Sequence, residues 1–253
     1  MSAQVSTHQP GLITLSPLDE ARFGVRSARC PGVTPEKLPA IIEECRAHQI
    51  VFLIARCVTT DIAAAQAMER AGFLLMDTLV YYSRNVQKAP VPEWTDKVPV
   101  RPMQPGEERA LGEVAAAAFK GYLSHYHADS RLDPADCDAG YVQWAQHLGA
   151  SRSEDSEVFV AEHQGEIVGF AAVRLNSPLE GDGVLFALHP RAEGLGIYHS
   201  FMVHAMHWCR TRGARRMIIS TQITNVAVQK AWTQLGFEPS YSYYTFHKWF
   251  DES

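Results

Sequence analysis

The clearest patterning of apolar and polar positions lies in the second half of the chain. Residues 106–120 (GEERALGEVAAAAFK) place Leu111, Val114, Ala115, Ala118 and Phe119 on one helical face, with acidic residues in the first turn, where the positive helix end favours them. Two strand-like runs, 157–162 and 166–175, flank His-Gln-Gly and predict a hairpin. An apolar strand follows at 183–188 (GVLFAL). Residues 197–212 then form an amphipathic helix with a stripe of Ile197, Phe201, Ala205 and Trp208, closed by Gly213. A strand at 217–221, a helix at 226–235 and an aromatic-rich strand at 239–249 complete the order, which opens with a short strand at 98–101. Residues 121–140 are polar and aromatic without a period and read as an active-site loop, with a helix at 141–148. This alternation predicts an α/β fold with a mixed sheet.

A proline-rich stretch, QKAPVPEWTDKVPVRP at 87–102, removes backbone donors and blocks helix. It divides the chain into 1–86, a linker at 87–97 and a larger domain at 98–253. A weak internal repeat crosses that seam: TDIAAAQAMERAGF (60–73) aligns with TNVAVQKAWTQLGF (224–237), and each follows a strand-like run, VFLIA and MIIS. The first part therefore reads as a smaller, degenerate copy of the same fold, without a glycine-rich loop.

Composition narrows the function classes. Apolar residues make up 46% of the 253 positions, enough for a sizeable core. The net charge of -5 provides no basic stripe for nucleic acid. Five scattered cysteines without a CxxC pair argue against a disulfide framework or zinc site and fit a reducing cytoplasm. The opening MSAQVSTHQPGL lacks the charged and apolar regions of a secretion signal, and no run is long enough to span a membrane.

The segment that carries chemistry is VLFALHPRAEGLGI at 184–197. Pro190 ends strand pairing, two glycines admit close backbone approach, and the following helix starts with unpaired N–H groups and a positive dipole end. Those features make a cradle for a diphosphate. No Gly-Lys-Ser/Thr follows, so it is no Walker loop, and the third glycine and the acid of a dinucleotide fingerprint are missing.

Strand, RxxGxG, helix, strand, Asn225, helix and Gly236-Phe237 together resemble the GNAT superfamily of acyl-CoA N-acyltransferases over about residues 98–250. The resemblance implies a GNAT fold and acetyl-CoA or another acyl-CoA as co-substrate, with no metal. It assigns Arg191, Ala192, Glu193, Gly194, Leu195, Gly196 and Ile197 to the diphosphate, Phe186, Ala187 and Leu188 to the pantetheine arm and Asn225 to an amide of that arm. The opening stretch with Asp19, Glu20, Phe23 and Gly24 is similar to bacterial nucleotide-sugar N-acyltransferases of the dTDP-fucosamine acetyltransferase type. That narrower likeness implies acylation of the amine of a dTDP-linked amino-deoxy sugar in the cytoplasm by a homodimer.

In such a reaction the amine attacks the thioester directly, and backbone N–H groups near Leu188 stabilise the oxyanion. Many GNAT enzymes have a tyrosine acid seven residues after the asparagine; here Trp232 stands there, and indole cannot usefully give up a proton. Trp232 shapes the acyl pocket or packs in the core, and Tyr244 or Tyr243 is left as acid. His125 is the candidate base, with Tyr126, Asp129, Asn176 and Gln222 facing the sugar; Asn176 and Gln222 are expected at strand ends beside the cleft. An HxH metal pair in His125 and His127 lacks a partner motif. Two alternatives stay open: a GNAT acting on another small-molecule or protein amine, and an acyl-CoA-binding module without catalysis.

Overall fold

The computed structural model describes residues 11–251. They part into two compact units, one running to Thr78 and resuming at Ser242, the other comprising residues 79–241. The boundary thus falls earlier than the proline-rich seam, and the chain's final strand segment joins the first unit.

The first unit holds β1 (Thr14–Leu15), α1 (Pro17–Phe23), β2 (Ser27–Cys30), α2 (Leu38–Ala47), β3 (Phe52–Val58) and α3 (Ile62–Arg70). Strand β2 lies parallel to β3 and antiparallel to β1. The last strand of the chain, β10 (Glu238–Trp249), pairs antiparallel with β3 from Tyr243–Val58 to Trp249–Phe52. Ile41, Cys45, Leu53, Met68, Phe73 and Phe246 fill its core. Asp19 in α1 is fully buried, bonded to Ser16 Oγ at 2.6 Å and paired with Arg29 at 2.7 Å. In this unit the opening motif is a structural clamp.

The second unit is built on β4 (Leu74–Asn85, from Leu79), β5 (Val100–Pro102), β6 (Ser156–His163), β7 (Glu166–Ser177), β8 (Glu180–Leu188) and β9 (Arg216–Gln222). Strands β5 to β8 pair antiparallel in sequence order, β8 pairs parallel with β9, and β9 antiparallel with β4. Gln164 and Gly165 both adopt positive φ in the β6–β7 turn, as the His-Gln-Gly signal predicts. Helices α4 (Glu108–Ala118) and α5 (Pro134–Ala150) cover one face over Phe170, Leu185 and Ala187. Helices α6 (Ile197–Thr211) and α7 (Val226–Gln234) cover the other over Phe159, Ala171 and Ile219.

Helix α5 starts seven residues before the expected 141, because Asp133 accepts from the Ala135 N–H at 2.8 Å and Pro134 follows at the first helical position. The residues at 87–97 are packed along α6. Gln87 Nε2 donates to the carbonyls of Arg210 and Ala214, Val91 is buried, and Asp96 meets His204 at 2.8 Å.

The internal repeat is physical. In both copies a strand leads to an Asx residue, a nine-residue helix, a glycine with φ 76° and a phenylalanine that is 1% exposed. The closing bonds match as well: Phe73 N–H to Met68 O at 3.0 Å, and Phe237 N–H to Trp232 O at 2.9 Å.

Candidate active site

Strand β8 is held on one side along its whole length and on the other only at its start. Pairing with β7 continues to Gly169–Leu188, whereas pairing with β9 stops at Gly183–Ile219. Beside that point Val184 is an extra residue, since Gly183 pairs with Val173 and Leu185 with Ala172. A bulge of this kind bends and twists its strand, which separates the end of β8 from β9. The His189 N–H donates to the Val168 carbonyl at 2.8 Å. Alternate residues of an antiparallel ladder turn their backbone groups to the same side. The N–H and C=O groups of Phe186 and Leu188 therefore face away from β7, into the space β9 has left. A groove edged by a strand's unused backbone groups suits an extended, amide-bearing chain.

At the end of β8 a single 3-10 turn (Pro190–Ala192) leads to the glycines. The N–H groups of Arg191, Ala192 and Glu193 bond His189 Nδ1, His189 O and Pro190 O, so they shape the loop and donate to nothing outside it. Of the residues assigned to the diphosphate, Arg191, Ala192 and Glu193 thus have their backbone donors engaged within the loop. Gly194 and Gly196 have φ of 77° and 78°, the left-handed region that a side chain disfavours. Among the described residues no acceptor is found for the N–H groups of residues 194–198. These groups and the positive end of the 15-residue α6 converge on one spot, where an anion is favoured. The Arg191 guanidinium is engaged with the Glu166 carboxylate.

Gln222 ends β9, which runs parallel to β8, so it lies at the Leu188 end of the sheet; it is 8% exposed, and its carbonyl accepts from the Asn225 N–H at 2.9 Å. Asn225 caps α7 without a side-chain cap bond. Its Nδ2 donates to Thr221 Oγ1 at 3.1 Å, and no donor among the described residues reaches its Oδ1. In the first unit Asp61, its counterpart, does cap its helix, accepting from the Ala64 N–H at 2.9 Å.

Strand β5 leaves the sheet beside Phe159, at the end away from Leu188, and α4 runs back from there. The loop at 119–133 thus emerges at the Leu188 end. Tyr126 and Asp129 are 8% and 4% exposed, and Asp129 Oδ1 accepts from the Arg131 N–H at 3.1 Å. His127 bridges Ser124 and Asp138, and His125 is part-exposed with its ring 4.0 Å from that of Tyr126.

Three assignments change. Asn176 is exposed at the β7–β8 hairpin, bonded to Arg174 and Glu180, and the antiparallel register sets it at the opposite end of β7 from Gly169 and Leu188. It does not flank the cleft. Trp232 is 2% exposed and gives its N–H to Tyr198, so it packs beneath the loop and offers no surface to a cofactor. Tyr244 belongs to the first unit, paired with Cys57 and half-buried on that core.

A model described as the acetyltransferase (GNAT) family matches residues 121–237, a span that contains β8, the loop, α6, Asn225 and α7. The spore coat polysaccharide biosynthesis protein SpsD of Bacillus subtilis is 25% identical over 78% of this chain and 66% of its own length. A mycothiol acetyltransferase of Thermomonospora curvata is 26% identical over 70% of this chain and 57% of its own. The chain therefore spans less than two thirds of the length of these relatives. Among solved structures, a tandem GNAT protein from the clavulanic acid biosynthesis pathway superposes with a TM-score of 0.61 at 15% identity, over 91% of this chain and 77% of that one. That likeness concerns the fold and agrees with the repeat across the two units. Among the described residues no helix is long and apolar enough to cross a membrane, and no group of three or more side chains is placed to hold a metal. Residues 121–237 are thus similar to the acetyltransferase (GNAT) family, whose co-substrate is acetyl-CoA, and the chain has the GNAT fold.

Proposed function

We propose that this protein transfers an acyl group, acetyl or a short hydroxyacyl, from CoA to the amine of a nucleotide-linked amino-deoxy sugar. The carrying observation is the splayed end of β8 leading into the glycine loop, which puts unused backbone groups beside an anion cradle. In this reading the donors at 194–198 hold the CoA diphosphate, and Phe186, Leu188 and Asn225 Oδ1 hold the pantetheine amides. The Leu188 N–H receives the carbonyl oxygen as charge develops on it, the interaction that counts most in acyl transfer. The amine attacks as the free base, so a base accepts its proton, and the part-exposed His125 is the residue we assign to that task. Leaving thiolate and ammonium proton balance without a dedicated acid.

The sugar assignment is supported by the likeness to SpsD, a protein named for polysaccharide biosynthesis, and by the aromatic-polar loop at the Leu188 end. The thymidine diphosphate carrier, the cytoplasmic location and a homodimer are parts of the same reading. The likeness to mycothiol acetyltransferases favours a second reading, a different small-molecule amine. Thiol release with acetyl-CoA and longer acyl-CoAs, against a panel of dTDP-amino sugars and simple amines, tests both. Turnover confined to the sugars supports the first reading, and turnover confined to other amines the second. CoA binding without turnover on any amine overturns both in favour of a binding module.

A further inference from the structure

The segment at 87–97 reaches the glycine loop itself. Trp94 stacks on His199 in the first turn of α6, with ring centroids 5.2 Å apart and planes at 24°, and its indole N–H donates to Ser200 Oγ at 2.8 Å. A Cβ added at Gly196 would sit 3.2 Å from the Trp94 ring and 4.0 Å from Lys97 Cδ. Lys97 is exposed, and among the described residues no carboxylate or carbonyl engages its ammonium. The loop's own arginine, Arg191, is tied to Glu166, and Glu193 adds an exposed carboxylate there. With Arg191 and Glu166 offsetting each other, Glu193 leaves the loop an uncompensated acid on a protein of net charge -5, so a further cation beside it favours a ligand with several phosphates.

We infer that Lys97, carried to the loop by the Trp94 anchor, pairs with a phosphate of bound CoA. The inference rests on the reading of the 191–197 loop as the CoA site. The partner is either the 3′-phosphate of the adenosine or the diphosphate, which share the chemistry and differ in dephospho-CoA. Trp94 is a positioning residue here: it clamps the segment to α6, which limits where the lysine stem can swing.

Calorimetric titration of CoA into the full-length protein needs no acyl acceptor and so stands apart from the question of substrate. Lys97→Gln is expected to weaken CoA about five- to tenfold, a gap that narrows as salt is raised, whereas Lys97→Arg stays within about twofold. Trp94→Ala is expected to weaken CoA as well, and adding Lys97→Gln to it costs less than in the parent. Should the Lys97→Gln loss vanish with dephospho-CoA, the partner is the 3′-phosphate; should it persist, the partner is the diphosphate. Equal affinity of parent and Lys97→Gln for both ligands, with unchanged circular dichroism, overturns the inference and leaves the loop reading standing. A parent protein that binds no CoA overturns the loop reading, and this inference with it.

Discussion

The indole N–H of Trp232 in α7 donates to the hydroxyl oxygen of Tyr198, in the first turn of α6, at 2.8 Å. Tyr82 closes the other side of the indole at a ring distance of 5.4 Å, and burial pushes the Tyr198 phenol upward in pKa, so it stays neutral. The residue seven places after Asn225 is thus part of the frame that fixes the start of α6 under the glycine loop.

Tyr198→Phe strands that buried N–H and is expected to lower stability by about 1–3 kcal/mol. Trp232→Phe opens space but removes the indole N–H together with its bond to the Tyr198 hydroxyl, so no indole donor is left stranded. Thermal unfolding of both single variants and the double variant checks this. A double variant as costly as the sum of the singles would mean the two side chains do not act as a pair.

The two loop glycines separate strain from space. Both need positive φ, yet a Cβ on Gly194 meets nothing within 4 Å, whereas one on Gly196 meets Trp94. Left-handed backbone costs an L-residue about 1–2 kcal/mol, so Gly194→Ala should weaken CoA roughly tenfold. Gly196→Ala should weaken it further, since the tryptophan must also move. Titration of CoA into each variant gives the order, and a weaker effect at Gly196 than at Gly194 refutes the placement of Trp94.

Asn225 and Asp61 occupy equivalent places in the repeat but use their side chains differently. Asn225→Asp lets the carboxylate cap α7 as Asp61 caps α3, and a cap of this kind contributes about 1 kcal/mol. The variant should melt higher while binding acetyl-CoA more weakly. Asn225→Ala should raise KM for acetyl-CoA about three- to tenfold through loss of one hydrogen bond. Steady-state kinetics beside thermal melts separate the two effects.

Asn176→Ala should leave kcat/KM within about twofold, since surface positions away from a site are near neutral. A large loss in the thiol-release assay would contradict the register that puts Asn176 away from Leu188.

The buried thiols provide a pH test. Burial pushes Cys45 and Cys209 up to about 12 and Cys57 to about 11. A group whose folded pKa is raised keeps its proton longer in the folded state, so its stabilisation is complete below the unfolded pKa near 9 and falls as pH rises towards the folded value. Stability should therefore decline above about pH 9, and alkylation at pH 8 should be slow until denaturant is added. Mass spectrometry of alkylated protein reads the outcome.

Much of this arrangement is local and was legible along the chain. Hydrophobic spacing marks α4, α6 and α7. The RxxGxG step between an apolar strand and a helix marks the anion cradle, and the repeat marks two units with equivalent strand-helix-glycine-phenylalanine corners. These features depend on side-chain period, caps and positive φ, which neighbouring residues set. The tertiary structure decided what depends on long-range pairing. Register sends Asn176 to the far end of β7, a bulge at Val184 opens β8 from β9, and β3 takes Tyr244 into the first unit through the last strand. No window of sequence records which strand will be a neighbour, because those bonds join residues as distant as Cys57 and Tyr244. Trp94 and Lys97 came into view the same way. A proline-rich run reads as a linker until its tryptophan is seen lying on the first turn of α6.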